Sequence, residues 1–117
     1  MITIYGIPNC DTMKKARAWL EARGIEYAFH DYKKAGVDRA KLEGWVREHG
    51  WETVLNRAGP TFRKLDADLT KDLDARKAVS LMIANPSAIK RPVLDLGKRT
   101  LVSFKPEQYA AALAKDA

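Results

Sequence analysis

The chain has 117 residues, of which 46% are hydrophobic and 31% are charged, with a formal net charge of +6. These values are typical of one globular domain, residues 1–117, and exclude a disordered or fibrous protein. No apolar stretch approaches the ~20 residues that a membrane span needs, and the first residues lack the pattern of a signal peptide. With only one cysteine, the chain is expected in a reducing cytoplasm.

The basic residues are spread along the chain and mixed with acids, and the longest basic runs are pairs such as Lys14-Lys15. This pattern is typical of a solvated surface and argues against nucleic acid as the partner. Another interpretation is that a few of these cations converge on the thiol and hold an anionic ligand.

The first third of the chain predicts a strand, a helix and a second strand. Residues 2–5 alternate apolar and polar side chains, which indicates a strand. A helix is predicted over 12–23, with Gly24 as its C-terminal cap and an apolar face of Met13, Ala16 and Leu20. A second strand is predicted at 27–31, so the whole segment has the size of a parallel βαβ unit.

The middle of the chain is predicted to be helical. Asp38 is expected to cap a helix that buries Leu42, Trp45, Val46 and His49. A short turn follows at 51–55. A further helix is predicted to begin at Thr70, to end near Asn85-Pro86, and to bury Ala75, Ala78, Val79 and Met82.

The last third predicts an antiparallel hairpin, 93–96 and 99–104 around Gly97-Lys98, and a final helix that starts at Pro106. The element order gives a four-stranded mixed sheet flanked by helices. This is an α/β fold of the thioredoxin-like (glutaredoxin-like) class. A helical insertion, at about 36–86, separates its βαβ and ββα halves.

Cys10 is the strongest candidate for a functional residue. It follows a strand and a Gly-x-Pro turn and directly precedes a helix, whose N-terminal N–H groups and positive partial charge favour a thiolate. Lys14 and Lys15 are expected to add to this effect. Met13 stands where a Cys-x-x-Cys motif has its second cysteine, so Cys10 must act as a monothiol that an outside thiol regenerates.

Several neighbours are candidates for the same site. The Thr12 hydroxyl either donates to the thiolate or bonds to backbone, and Asn9 orders the loop or suits a turn. The thioredoxin-like topology makes Pro92 a candidate cis-proline next to the cysteine, which would bring the fork of Arg91 near the thiol. Arg57, in a polar loop, is a second candidate for binding an oxyanion or a carboxylate.

No metal site is expected. The two histidines and the cysteine do not have zinc-site spacing, and His49 is interpreted as a packed core residue. The acidic segment at 66–74 lacks the turn glycine and the bidentate glutamate of a calcium loop.

Taken together, residues 2–12, Asn56-Arg57, Arg91-Pro92 and 104–106 resemble the ArsC/Spx family, and Gly-Ile-Pro-Asn-Cys-Asp-Thr is most similar to its YffB-like subgroup. The resemblance implies a thioredoxin-like domain with Cys10 as the nucleophile. In the arsenate reductases of this family, three arginines hold the oxyanion. Arg57 and Arg91 match two of them, and Lys105 stands at the third position.

Two departures from those arsenate reductases put arsenate in doubt as the substrate: Lys105 replaces an arginine, and Gly6 replaces the histidine before the cysteine. The resemblance therefore implies a glutathione-dependent thiol reductase that acts on a disulfide or oxyanion substrate. An arsenate reductase is one alternative, and a non-enzymatic Spx-like interaction module is another. Glutathione is the expected co-substrate, and a monomer is expected, although the sequence does not fix the oligomeric state.

Overall fold

Strand β1 lies at the centre of a mixed sheet in the computed structural model, which describes residues 2–116 and the side chains of residues 2–113. The first half of the chain contains β1 (Ile2–Gly6), α1 (Asp11–Ala22), β2 (Tyr27–Asp31), α2 (Tyr32–Ala35), α3 (Arg39–His49) and α4 (Trp51–Val54). The second half contains α5 (Pro60–Arg63), α6 (Ala67–Thr70), α7 (Ala75–Ala84), a 3-10 turn (Pro86–Ala88), β3 (Val93–Asp95), β4 (Thr100–Val102) and α8 (Pro106–Asp116).

The sheet has the strand order β2-β1-β3-β4. β1 pairs in parallel with β2 and antiparallel with β3, so Ile4 lies between Phe29 and Leu94. β3 and β4 form the predicted antiparallel hairpin. The four-stranded mixed sheet of the thioredoxin-like fold is therefore confirmed.

The chain divides into two compact units, Met1–Asp31 with Arg91–Ala117, and Tyr32–Lys90. The second unit contains the predicted insertion but starts and ends outside the expected range of 36–86. In the first unit, one core joins the sheet to α1 and α8 through Ile4, Met13, Ala16, Leu20, Leu94, Tyr109 and Leu113. That the whole chain acts as one domain stays a prediction.

The second unit has a core of its own, built from the apolar faces of its longer helices. α3 packs against α7 and α4. The buried apolar residues of this unit are Tyr32, Leu42, Trp45, Val46, Val54, Leu55, Ala78, Val79, Leu81, Met82, Ala88 and Ile89. Asp38 accepts a hydrogen bond from the Lys41 N–H and caps α3, as its sequence position predicted.

Two predictions for the middle of the chain were wrong. The helix predicted from Thr70 begins at Ala75 instead, because the Asp74 side chain accepts the Lys77 N–H at 2.8 Å and forms the cap. Ala75 is consequently exposed. His49 is only partly buried and is the last residue of α3, where its Nε2 lies 3.6 Å from Glu48 Oε2. It is therefore not a core residue.

Over residues 2–116, no helix combines the length and the apolar character that crossing a membrane requires.

Gly6, the last residue of β1, is in close contact with the first turn of α1. A Cβ atom at Gly6 would lie 2.2 Å from Met13 Sδ and 2.7 Å from its Cε. Met13 is fully buried in the core of the first unit and cannot swing into solvent. A side chain at position 6 therefore competes with Met13 for the same space.

We expect Gly6→Ala to lower the free energy of unfolding by about 1–3 kcal/mol, because overpacking a filled core forces strained rearrangement. In a Met13→Ala background, the same change at Gly6 should cost far less, because the overlapping atoms are gone. Urea denaturation of the four proteins in this double-mutant cycle measures the coupling.

Gly44→Ala is the matched control. A Cβ at Gly44 meets nothing closer than an Arg47 nitrogen at 3.8 Å, and the residue lies inside α3. This substitution should stabilise the protein by about 0.5–1 kcal/mol, because alanine is the better helix former. Equal destabilisation by the two substitutions would contradict the proposed clash with Met13.

Candidate active site

Cys10 occupies the N-cap position of α1. Its backbone is extended, with φ −115° and ψ 129°, and its carbonyl accepts the first helical hydrogen bond from the Lys14 N–H at 3.0 Å. An N-cap side chain faces the N–H groups of the second and third helical residues, which are Thr12 and Met13 here. The turn after β1 thus places a partly exposed sulfur at the positive end of a twelve-residue helix.

Several groups around Cys10 act on its pKa in opposite directions. Partial burial raises the pKa, but hydrogen bonds from the Met13 N–H, the Arg91 side chain and the Thr12 N–H lower it, and so does the Arg91 charge. The net effect lowers the pKa of Cys10 below its ordinary value.

Arg91 reaches the sulfur from the loop that enters β3. The Arg91–Pro92 peptide bond is cis, and Pro92 is buried. The Pro92 carbonyl accepts the Ser103 N–H at 2.8 Å, which continues the β3–β4 pairing by one step toward the site. The sheet therefore fixes the backbone next to Arg91, while the half-buried guanidinium extends to Cys10.

The other predicted neighbours of Cys10 differ in what they contribute. Thr12 acts on the sulfur through its backbone N–H. The sequence had left open whether its hydroxyl donates to the thiolate or bonds to backbone. Asn9 lies exposed in the turn before α1.

Lys14, Lys15 and Lys105 are exposed, and none is among the described groups that shift the Cys10 pKa. The prediction that the two lysines of α1 lower this pKa was wrong, since the backbone and Arg91 do so instead. Lys105 immediately precedes α8, where its carbonyl accepts the Tyr109 N–H at 3.1 Å.

Arg57 belongs to the second unit. Its side chain is exposed, and its Cζ lies 5.3 Å from the centroid of the Trp51 ring. Its backbone follows Asn56, whose N–H donates to the Ala88 carbonyl at 2.8 Å. A role for Arg57 beside Cys10 stays a prediction.

Two contributors escaped the sequence argument. The Met13 N–H contributes most to lowering the Cys10 pKa. The sequence had predicted an effect of the helix N–H groups in general, and had considered Met13 itself only as an apolar residue and as a replacement for cysteine. Its position, three residues after the N-cap, was the signal that could have identified it. Trp51 had been placed in a short turn, and nothing in the sequence pairs it with Arg57.

The arrangement in the first unit is that of a thiol with a lowered pKa next to a cation. A sulfur with a lowered pKa attacks disulfides and other electrophilic sulfur, and the planar fork of Arg91 suits an anionic reaction partner. The described residues contain no group of three or more metal-ligating side chains.

We expect alkylation of Cys10 by iodoacetamide to reach half its maximal rate at a pH below ~8.5, the ordinary thiol value. Arg91→Gln should move this midpoint to higher pH, because it removes a hydrogen bond and a positive charge from the thiolate. Arg99→Gln, an exposed arginine of the same unit, is the charge-matched control and should leave the midpoint in place. A midpoint that Arg91→Gln does not move would exclude contact between Arg91 and the sulfur.

The same pKa shift makes the stability of the fold depend on pH. Because the pKa of Cys10 is lower in the folded state, the thiolate stabilises the fold fully above the unfolded value of ~8.5. That contribution is lost as pH falls through the folded value. The unfolding free energy of the wild type, relative to Cys10→Ser, should therefore rise with pH and level off above ~8.5, as measured by urea denaturation.

Comparison with known proteins places this site in a family. The model of the ArsC family matches residues 5–112. The solved structure of the YFFB protein superposes with a TM-score of 0.95 at 63% identity, covering 97% of this chain and 99% of that one.

Two further relatives carry functional names. The solution structure of an arsenate reductase (ArsC) related protein from Brucella melitensis is 55% identical, with a TM-score of 0.74, and covers 96% of this chain and 93% of that one. The global transcriptional regulator Spx of Streptococcus pyogenes is 29% identical over 99% of this chain and 87% of its own length. With its fold, its N-cap cysteine and these matches, the chain belongs to the ArsC family and resembles the YffB-like proteins within it.

Proposed function

We propose that this protein is a glutathione-dependent thiol reductase that uses Cys10 as its only nucleophile. The observation that carries the proposal is the pairing of an N-cap thiolate with Arg91, at a site where Met13 replaces the second cysteine. Membership of the ArsC family supports thiol oxidoreductase chemistry. Glutathione is proposed as the reductant because the chain resembles the YffB-like proteins.

The reaction on a mixed disulfide R–S–S–G follows from the single thiol. The Cys10 thiolate attacks the glutathionyl sulfur and forms a Cys10–S–S–G bond, while the S–S bond between the two sulfurs of the substrate breaks. RS⁻ leaves with the electron pair of that bond and takes a proton. A second glutathione, as its thiolate, attacks the glutathionyl sulfur and regenerates the Cys10 thiolate. In all, the mixed disulfide and one glutathione give the thiol RSH and oxidised glutathione, so one disulfide bond is exchanged for another.

The anionic part of glutathione needs cations in the site. Arg91 is suited to a carboxylate because its guanidinium is planar and half-buried. Arg57 and Lys105 complete the set by resemblance to the arsenate reductases of the family. Asn9, in the turn before α1, and Thr12, in the first turn of α1, are proposed to line the approach to the sulfur. Such a protein is expected where reduced glutathione is abundant, as in a cytoplasm.

We expect wild-type protein to reduce a glutathionylated peptide with glutathione as the electron donor, and Cys10→Ser to be inactive. Turnover is measured by NADPH oxidation coupled through glutathione reductase. If the wild type is inactive with glutathione but turns over with a dithiol protein reductant, glutathione is not the electron donor. The proposed role of Cys10 as the nucleophile would still stand.

Arg91→Ala should weaken glutathione binding by about 1.5–3 kcal/mol, or roughly 10- to 150-fold, because a bidentate charged contact is lost. Calorimetry in a Cys10→Ser background measures binding without turnover. Arg99→Ala is the matched control and should bind as tightly as the parent. Equal affinities for the Arg91 variant and its parent would remove this arginine from the binding site.

Arsenate reduction is the second candidate, because a 55% identical relative is described as related to arsenate reductase. The packing of Met13 against Gly6 argues against it, since no side chain fits where those enzymes have a histidine. Arsenate-dependent NADPH oxidation in the coupled assay separates the two activities. A regulatory role like that of Spx predicts that Cys10→Ser leaves the function intact.

A further inference from the structure

Trp51 and Arg57 form a contact that the proposed reaction has not used. The Arg57 Cζ lies 5.3 Å from the centroid of the Trp51 ring, within the distance of a cation–π interaction. Arg57 is exposed and Trp51 is partly buried. The ring therefore contacts a side chain that would otherwise sample many rotamers in water.

The backbone of Trp51 is held in place on both sides. Gly50 precedes it with φ +88°, a conformation that favours glycine, and this turn starts α4. The Trp51 carbonyl accepts the Leu55 N–H at 2.9 Å, and both Val54 and Leu55 are buried. The indole ring thus extends from a short helix anchored in the core of the second unit.

The loop that carries Arg57 is also fixed. The Asn56 N–H donates to the Ala88 carbonyl at 2.8 Å, and the Lys90 N–H donates to the Val54 carbonyl at 2.8 Å. The Asn56 side chain folds over Gly59, where an added Cβ would lie 2.6 Å from its Nδ2. The backbone next to Arg57 is thereby set, and the remaining freedom is that of its own side chain.

We propose that Trp51 is the positioning residue for Arg57 and holds its guanidinium ready for an anionic ligand. A cation–π contact engages the charge of the guanidinium and leaves its N–H donors available to an anion. Restricting the side chain in advance lowers the entropy lost when the anion binds. This inference rests on the proposed role of Arg57 in binding the carboxylates of glutathione.

The kinetic test is a double-mutant cycle with Trp51→Leu and Arg57→Gln. Trp51→Leu should raise the KM for glutathione about two- to fivefold and leave kcat unchanged, which is the scale of an exposed cation–π contact. Trp51→Phe should restore most of the affinity. In the Arg57→Gln background, Trp51→Leu should cause no further rise in KM. A rise as large as in the wild type would overturn the proposal.

A spectroscopic test needs no glutathione. Ring currents of Trp51 should shift the Arg57 side-chain proton resonances upfield, and Trp51→Leu should return them to ordinary arginine values. Unmoved resonances would overturn the positioning contact itself. If they move while Arg57→Gln leaves KM unaltered, the error lies in the role proposed for Arg57, and the positioning proposal falls with it.

Arg63→Gln, an exposed arginine a few residues later, is the matched control and should change neither the KM nor the Arg57 resonances. Thermal unfolding of each variant identifies a loss of fold. The Trp51→Phe variant keeps an aromatic ring in the same space and provides the comparison if Trp51→Leu fails to fold.

Discussion

The interaction of the Cys10 sulfur with the N-terminus of α1 and with Arg91 is the constraint on which the proposed chemistry depends. Partial burial alone would keep the thiol protonated, and it is opposed by two backbone N–H groups of α1 and by Arg91. The backbone donors exist because α1 begins at Asp11, directly after the cysteine. Helix position and a single guanidinium thus decide whether this sulfur is a nucleophile.

The sheet supplies the geometry that this charge requires. β1 delivers the cysteine turn, and β3, its antiparallel neighbour, follows the cis Arg91–Pro92 bond. Cys10 and Arg91 are 81 positions apart in the sequence, and the pairing of β1 with β3 brings them together within one unit. Cys10 and Arg91 lie just outside paired strands, so the sheet fixes the ends of the two segments that carry them.

The sequence predicted most of the fold because the apolar residues of the strands and of the longer helices recur at regular spacing, and because capping residues mark the helix ends. The topology also predicted the cis Arg91–Pro92 bond and the contact of Arg91 with Cys10, whereas the role of Cys10 as nucleophile, inferred from its position, stays a prediction. The two wrong predictions concern the start of α7 and the burial of His49. Asp74 caps α7 in preference to Thr70, and His49 lies at the polar end of α3. The Trp51–Arg57 contact could not be predicted, because side chains of a short helix and an irregular loop have no period to follow.

The contact between Gly6 and Met13 couples the end of β1, before the Cys10 turn, to the first turn of α1. A methionine at position 13 removes the second thiol and, by filling the space under β1, also removes any room for a side chain at position 6. The two positions are therefore expected to vary together. A cysteine in place of Met13 would open a cavity that a larger residue at position 6 could occupy, so a lineage that exchanges monothiol for dithiol chemistry must repack both sites.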